Sequence, residues 1–199
     1  YAAQIYCDFS GYSEMAIASA RLLGFSLGEN FNFPYLATNI RDFWRRWHIS
    51  LSSWLRDYLY ISLGGNRGSQ LFTLRNLMLT MLLGGLWHGA GWTFVVWGGL
   101  HGLYLAVNHF WHHFSHRYLP EKTQPSHIGK LCSWFLTFVA VVVGWVFFRA
   151  ESFDAAGRML AGMTGLAGHA LAPGAFGSAW GWFWILTLLA AAWLLPNTY

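Results

Sequence analysis

Charged residues are scarce in this sequence. Asp, Glu, Lys and Arg together make up 10% of its 199 residues, whereas soluble domains carry about a quarter. Hydrophobic residues account for 55% of the chain. This composition argues against a soluble domain and favours a protein embedded in a membrane. The 13 tryptophans and 22 glycines support that interpretation, because Trp favours bilayer interfaces and Gly is frequent in membrane helices.

Common catalytic and ligand-binding signatures are also missing. The sequence has no P-loop, no GxGxxG dinucleotide fingerprint and no serine nucleophile elbow, so an enzyme built from it does not use those devices. Residues 71–110 contain no Asp or Glu, which argues against a transporter or channel that relays protons through carboxylates. Cys7 and Cys132 are the only cysteines, and both stand among apolar residues. We expect them to be small core residues rather than part of a disulfide framework or a metal site.

Basic residues are concentrated in one part of the chain. Six of the twelve lie between Arg41 and Arg75, and the formal net charge is +4. In a soluble domain such a cluster would suggest nucleic-acid binding, but in a membrane protein it indicates the cytoplasmic side. We therefore expect contact with lipid and none with nucleic acid. The sequence starts at Tyr1 and shows no repeat or second-domain boundary, so we expect residues 1–199 to be one membrane-embedded domain, a fragment of a longer chain.

The hydrophobic pattern predicts an all-α, multi-pass bundle of transmembrane helices. Residues 131–148 are the clearest span, and 180–195 begin or complete another. Residues 71–110 are long enough for two passes or one broken pass, with a break expected at His88. Residues 41–63 repeat apolar side chains at helical spacing but carry four arginines. That combination predicts an amphipathic helix at the interface or a segment that re-enters the protein interior.

His88 stands within the most unusual stretch, LLGGLWHGAGWTFVVWGGLHG at 82–102. A histidine in hydrocarbon is costly because lipid cannot satisfy its ring nitrogens, so it is a candidate functional residue. The surrounding glycines would let helices or a substrate approach closely. A neutral imidazole can take a proton from an alcohol while the alcohol oxygen attacks an acyl carbonyl. We predict that His88 is catalytic; the alternative is a packing histidine bonded to a helix carbonyl.

His48 is the second candidate catalytic histidine, and it stands close to Arg45 and Arg46. The two guanidinium groups could bind the phosphate or pyrophosphate of a ligand. An interfacial belt of Arg and Trp that binds no ligand explains the same residues equally well. His48 and His88 are 40 residues apart, so their spacing does not establish that they meet.

The remaining histidines have a weaker claim to function. His101 follows His88 by 13 residues, which is about 20 Å along a helix, and we expect it to pack between helices. Four more histidines recur at helical spacing, at His109, His112, His113 and His116. That spacing permits a metal site. Because no acidic or cysteine ligand stands nearby, we favour a juxtamembrane helix end without a metal.

Two blocks of sequence together resemble the membrane-bound O-acyltransferase family, in its alginate O-acetyltransferase branch. They are RDFWRRWHISLSSWLRDYLYISLGGNR at 41–67 and GGLWHGAGWTFVVWGGLHG at 84–102. Residues 6–25 and 194–198 resemble the same branch, so the similarity extends over nearly the whole sequence. By this resemblance His88 would be the invariant, catalytic WHG histidine of the family.

The same resemblance assigns roles to further residues. His48 would be the second, RWH histidine and would line the same tunnel as His88. Arg45, Arg46 and Trp87 would support these two histidines.

The resemblance also implies a function and a setting. It implies many transmembrane helices around a tunnel, in the inner membrane of a bacterium. An acetyl group would pass from a cytoplasmic donor such as acetyl-CoA, with no bound cofactor, to an extracellular polysaccharide such as alginate. A separate periplasmic acetyltransferase of the SGNH type would be the partner that completes the modification. The alternatives are D-alanyl transfer to teichoic acid by a related branch, a transporter or channel, and a structural subunit without activity.

Overall fold

Helices make up most of the chain that the structure describes. The computed structural model describes residues 1–118, 126–165 and 179–194, and those ranges contain no β-strand. The helices are α1 (Ala2–Leu22), α2 (Ile40–Arg46), α3 (Ile49–Trp54), α4 (Gln70–Trp87), α5 (Trp92–Tyr118), α6 (His127–Arg149), α7 (Phe153–Met163) and α8 (Ala179–Leu194). A 3-10 turn at Pro34–Leu36 precedes α2, and a π-helix at Leu55–Tyr60 continues α3. The predicted all-α class is confirmed. The segment at 194–198 that carries part of the resemblance lies almost entirely outside the described residues.

The helix that periodicity predicts over residues 41–63 is divided, which corrects the expectation of one continuous element. Asn39 begins α2, because its side chain accepts a hydrogen bond from the backbone N–H of Asp42 at 2.9 Å. The helix stops at Trp47, which pairs with Phe31 of the preceding loop in an isolated antiparallel bridge. Both of these aromatic side chains are buried. Their packing competes with the helix ladder and overrides the periodicity.

The break predicted at His88 is confirmed. Helix α4 ends at Trp87, His88 follows it, and Gly89 has a φ of 153° before α5 begins at Trp92. A side chain at Gly89 would be strained in this conformation. The chain therefore turns back, and α5 packs along α4. Gly98 lies at this contact, where an added Cβ would overlap the backbone carbonyl oxygen of Met81.

An aromatic core joins the elements on which the candidate site depends. Trp145 of α6 packs against Trp47, which directly follows α2, and against Trp97 of α5. The ring centroid of Trp145 is 4.9 Å from that of Trp47 and 6.1 Å from that of Trp97. The buried members of this cluster are Phe31, Tyr35, Ala37, Ile40, Phe43, Trp47, Trp97, Val141 and Trp145. Large aromatic side chains dominate it, so the core gains both buried area and edge-to-face or stacked ring contacts. The elements around the histidines are thus fixed relative to one another.

Among the described residues, α6 is the one helix that is long and apolar enough to cross a membrane. Its best window has a mean hydropathy of 2.2, and 28% of that window is buried. The span predicted at 131–148 therefore coincides with a suitable helix, whereas the spans expected over 71–110 and 180–195 stay predictions. Cys132 on α6 and Cys7 on α1 are exposed, so the expectation of core cysteines is wrong. An apolar neighbourhood in the sequence also describes the outward face of a membrane helix.

Candidate active site

His48 lies at the junction between α2 and α3 in an unusual backbone conformation. Its φ and ψ are 43° and 58°, the left-handed region, which costs a non-glycine residue roughly 1–2 kcal/mol. The loop before α2 holds this junction in place. The N–H of Ile49 donates to the carbonyl of Asn30 at 3.0 Å. The side-chain oxygen of Asn30 accepts from the N–H and the hydroxyl of Ser50 at 3.2 and 2.7 Å. These bonds offset the cost and orient His48.

The imidazole of His48 is half-buried against α1. Its ring centroid is 4.6 Å from that of Phe9, in an edge-to-face arrangement. Burial, and secondarily the nearby His88 imidazole, lower the pKa of His48 to about 4. The ring is therefore neutral near pH 7, so one of its nitrogens can accept a proton. This is the protonation state that a general base requires.

His88 lies in the break between α4 and α5, enclosed by aromatic rings. Its ring centroid is 5.1 Å from Trp87, 5.2 Å from Trp97 and 5.0 Å from Phe148. Trp87 ends α4, Trp97 lies in the second turn of α5, and Phe148 comes from α6. Three separate helices therefore set the orientation of His88. The imidazole is half-buried, so it remains open to a reactant on one side.

A cavity of about 580 Å³, here called the histidine cavity, is lined by His48, one of the two predicted catalytic histidines, but not by His88 itself. His48 lines it directly, and Trp87, whose ring contacts His88, forms another part of its wall. The residues that line the cavity are His48, Ser50, Leu51, Trp54, Leu55, Leu59, Leu83, Gly84 and Trp87.

His101 lies much closer to His88 than helical spacing predicts. Its ring centroid is 5.0 Å from Trp97, the same side chain that His88 contacts at 5.2 Å. The expected separation of about 20 Å assumed one continuous helix, and the turn after His88 invalidates that assumption. His101 is fully buried among aromatic rings, and a Cβ at Gly144 would stand 2.7 Å from its Nε2 atom. The expectation that His101 packs between helices is confirmed.

A second cavity of about 740 Å³ lies on the other side of α3 and is rich in basic side chains; we call it the basic cavity. The basic residues that line it are Arg41, Arg45, Arg56, His109, His112 and His113. No carboxylate occurs among its described lining residues. The described residues hold no group of three or more His, Cys, Asp or Glu arranged to bind a metal. The side chain of His116 lies outside the described set.

The structure separates the two arginines that the sequence places together. Arg45 lines the basic cavity. Arg46 points elsewhere: its Nε atom is 2.9 Å from the carboxylate of Asp42, and its guanidinium donates to the carbonyl of Asn32 at 3.4 Å. An arginine already paired in this way is less available to an anionic ligand. The geometry therefore favours Arg45 as the residue that contacts a phosphate.

Two residues that position this site were missed by the sequence reasoning. Asn30, which holds the His48 junction, stands in a loop whose asparagines indicate turns but not a partner 20 residues away. Leu55 lines both cavities, yet in the sequence it is one of many apolar positions with helical spacing. No local signal distinguishes either residue, because each acts through a contact distant in the chain.

The candidate site thus comprises a cavity lined by His48, the adjacent His88, a neighbouring basic cavity and an apolar helix. The profile of MBOAT, the membrane-bound O-acyltransferase family, matches residues 1–150. The chain belongs to this family, and the resemblance that the sequence motifs indicated is confirmed. The family is one of enzymes that transfer acyl groups to hydroxyls.

Individual relatives make the comparison more specific. The chain is 58% identical over 163 residues to a probable alginate O-acetylase of Azotobacter vinelandii, covering 82% of this chain and 31% of that protein. The corresponding protein of Pseudomonas aeruginosa is 56% identical, with 82% of this chain and 30% of the relative covered. A peptidoglycan O-acetyltransferase of Helicobacter pylori is 49% identical over 171 residues, or 86% of this chain and 31% of the relative. The chain thus spans about a third of the length of these relatives.

Proposed function

We propose that this chain is the histidine-bearing part of a membrane-bound O-acyltransferase that acetylates an extracellular polysaccharide. Residues 1–199 form one membrane-embedded unit within a multi-pass helical bundle. The acetyl group comes from a cytoplasmic donor and moves through a tunnel towards the other face of the membrane. The observation that carries this proposal is that His48 lines the histidine cavity and that Trp87, in the wall of the same cavity, is in ring contact with His88, in a chain whose family transfers acyl groups.

The reaction at the histidine cavity is acyl transfer from a thioester to a hydroxyl. His88 acts as the general base and takes the hydroxyl proton as the oxygen attacks the acyl carbonyl carbon. A C–O bond forms, the C–S bond breaks, and the proton passes to the departing thiolate. His48 lines the same space and interacts with the reacting groups. The rings of Trp87, Trp97 and Phe148 hold the His88 ring in place.

The basic cavity receives the donor, and acetyl-CoA is the donor we propose. Its phosphates would meet Arg41 and Arg45, with His109, His112 and His113 along the same wall. Arg56 lines the same cavity but, like Arg46, is already paired with a carboxylate, that of Asp57 at 2.6 Å. Guanidinium groups bind phosphate oxygens through paired, charge-assisted hydrogen bonds. A basic cavity also belongs on the cytoplasmic side of a membrane protein, where acetyl-CoA is available. Arg46 is the weaker candidate, since its guanidinium is already paired with Asp42.

Our proposal for the acceptor is supported by the names of the relatives, and our proposals for the location and the partner rest on the family resemblance. The relatives at 49–58% identity are named alginate O-acetylase and peptidoglycan O-acetyltransferase, which supports a polysaccharide acceptor such as alginate. Relatives named teichoic acid D-alanyltransferase are only 30–34% identical. We place the protein in the inner membrane of a bacterium as a multi-pass protein. A periplasmic SGNH-type acetyltransferase completes the transfer to the polysaccharide.

The test compares His88→Ala, His48→Ala and wild type in the full-length protein, in cells that make the polysaccharide. His127→Ala is the matched control, because His127 is exposed at the start of α6 and lines neither cavity. The measurement is ester-linked acetate and ester-linked D-alanine on the cell envelope, at equal membrane levels of each variant. We expect His88→Ala to lower the acetate by roughly a hundredfold or more, the usual contribution of a general base.

The outcomes separate the competing functions. Unchanged acetate in His88→Ala would contradict the acyltransferase mechanism and favour a structural subunit. Loss of D-alanine esters in place of acetate would favour the teichoic acid branch. Loss in both histidine variants, with the His127→Ala control intact, would support a shared role for His48 and His88. Loss of acetate in His88→Ala alone would favour the alternative in which His48 belongs to an interfacial belt of Arg and Trp that binds no ligand.

A further inference from the structure

We propose that Leu55 determines how large an acyl group the protein transfers, because the thioester arm of the donor crosses this side chain between the basic cavity and the histidine cavity. The inference rests on the proposed function, in which the donor's phosphates lie in one cavity and its acyl carbonyl in the other. It adds a specificity-determining residue to that reaction.

Leu55 is the one described residue that lines both cavities. The helical segment that carries it forms the wall between them. On one face of α3, Ile49 and Ser52 line the basic cavity. On the other face, Leu51 and Trp54 line the histidine cavity. Leu55 follows at the start of the π-helix, a widened helical turn of the kind often found at functional sites.

Helix α4 completes the same wall from the opposite side. Met81 lines the basic cavity, and Gly84, less than one turn later, lines the histidine cavity. Leu55 packs against α4 at this point, where a Cβ on Gly84 would stand 3.3 Å from its Cδ1 atom. Leu55 is 8% exposed. Because Gly84 has no side chain, the isobutyl group of Leu55 occupies the space between the two cavities, here called the seam.

The chemistry of the donor requires passage across this seam. The phosphates of an acyl-CoA carry strong negative charge and fit the arginines of the basic cavity. The carbonyl carbon of the thioester must come within reach of the His88 and His48 imidazoles for transfer to occur. An acetyl group adds little bulk beyond the thioester, whereas a butyryl group must find room beside Leu55. One methylene in such an apolar contact changes specificity about 10- to 200-fold.

The experiment measures transfer from acetyl-, propionyl- and butyryl-CoA. Inverted membrane vesicles that carry the full-length protein and its polysaccharide machinery expose the cytoplasmic face to the donor. We expect Leu55→Ala to raise the ratio of butyryl to acetyl transfer at least tenfold while acetyl transfer persists. Leu79→Ala is the matched control: it makes the same truncation on α4, at a residue that is 37% exposed and lines neither cavity. The ratio of butyryl to acetyl transfer in Leu79→Ala should equal that of wild type.

Gly84→Ala provides a test in the opposite direction. The added methyl group narrows the seam, so acetyl transfer should fall and butyryl transfer should fall further. Combining it with Leu55→Ala should restore acetyl transfer, because the space that the new methyl group needs is then free. If Leu55→Ala does not accumulate in the membrane, Leu55→Val makes the same comparison with a smaller truncation.

The possible results separate this inference from the proposed function. The role of Leu55 would be overturned if Leu55→Ala or Leu55→Val kept the wild-type ratio of butyryl to acetyl transfer. If acetyl transfer still depended on His88 in that case, the proposed function would stand. Acetyl transfer from acetyl-CoA that persists in His88→Ala would overturn both. A raised ratio in the Leu55 variants and not in Leu79→Ala would support both.

Discussion

Gly98 offers a sharp test of the packing that places His88. An added Cβ at Gly98 would overlap the carbonyl oxygen of Met81 and stand 3.1 Å from the carbonyl carbon, inside the 3.4 Å at which ordinary contact begins. Both atoms belong to the backbone of α4, so no side-chain rotation can relieve the overlap. We expect Gly98→Ala to force α4 and α5 apart by a substantial fraction of an ångström.

The expected magnitude combines two opposing effects. Alanine is favoured over glycine in a helix by about 1 kcal/mol. Overpacking a well-packed contact costs typically 1–3 kcal/mol, and a backbone clash lies at the upper end of that range. The net result is a loss of roughly 1–2 kcal/mol in the free energy of unfolding. Because Trp97 is adjacent and contacts His88, transfer should fall by roughly ten- to a hundredfold.

The neighbouring glycine supplies the control. A Cβ at Gly99 would be 3.6 Å from its nearest neighbour, the Cδ2 atom of Leu82, which is ordinary contact. Gly99→Ala should therefore be neutral or stabilising by up to about 1 kcal/mol. The measurements are the apparent melting temperature of the detergent-solubilised full-length protein and the ester-linked acetate on the polysaccharide. Equal behaviour of Gly98→Ala and Gly99→Ala would refute the close approach of α4 and α5.

Two further predictions concern the donor and the His48 junction. In inverted vesicles, Arg45→Ala should raise the KM for acetyl-CoA roughly tenfold, because a charge-assisted phosphate contact is lost. Arg46→Ala should change the KM much less, because Arg46 is paired with Asp42. Equal effects of the two substitutions would contradict the assignment of Arg45 as the phosphate-binding residue. Asn30→Ala should lower acetate esters and cost about 1–2 kcal/mol of stability, because Ser50 loses a side-chain partner. Asn30→Asp keeps the accepting oxygen and should retain most activity, so similar defects in both variants would argue against that role.

The sequence predicts well where a property depends on neighbouring residues. The helical periodicity and the run of apolar residues at 131–148 predict helices because side-chain spacing and hydrophobicity act within one segment. The break after α4 is predictable for the same reason, since glycines around His88 make a turn possible whatever the rest of the chain does. The family motifs likewise lie in two continuous blocks.

Prediction fails where a partner lies far along the chain. The helix predicted over 41–63 is divided at Trp47, because this side chain packs against Phe31 in a separate loop. The distance expected between His88 and His101 is wrong because the chain turns back and brings both rings to Trp97. In each case a tertiary contact stabilises a backbone that local preference does not favour.

The sequence alone therefore determined an all-helical membrane protein with His88 and His48 as its candidate catalytic groups. Composition and motif identity are properties of the chain itself and need no fold to express them. Only the tertiary structure decided that His88 contacts Trp87 in the wall of the cavity that His48 lines. It also decided that Arg45 rather than Arg46 lines the basic cavity, and that Leu55 lies between the two cavities. These facts depend on how helices rotate and pack against each other, which is set by contacts between residues many positions apart.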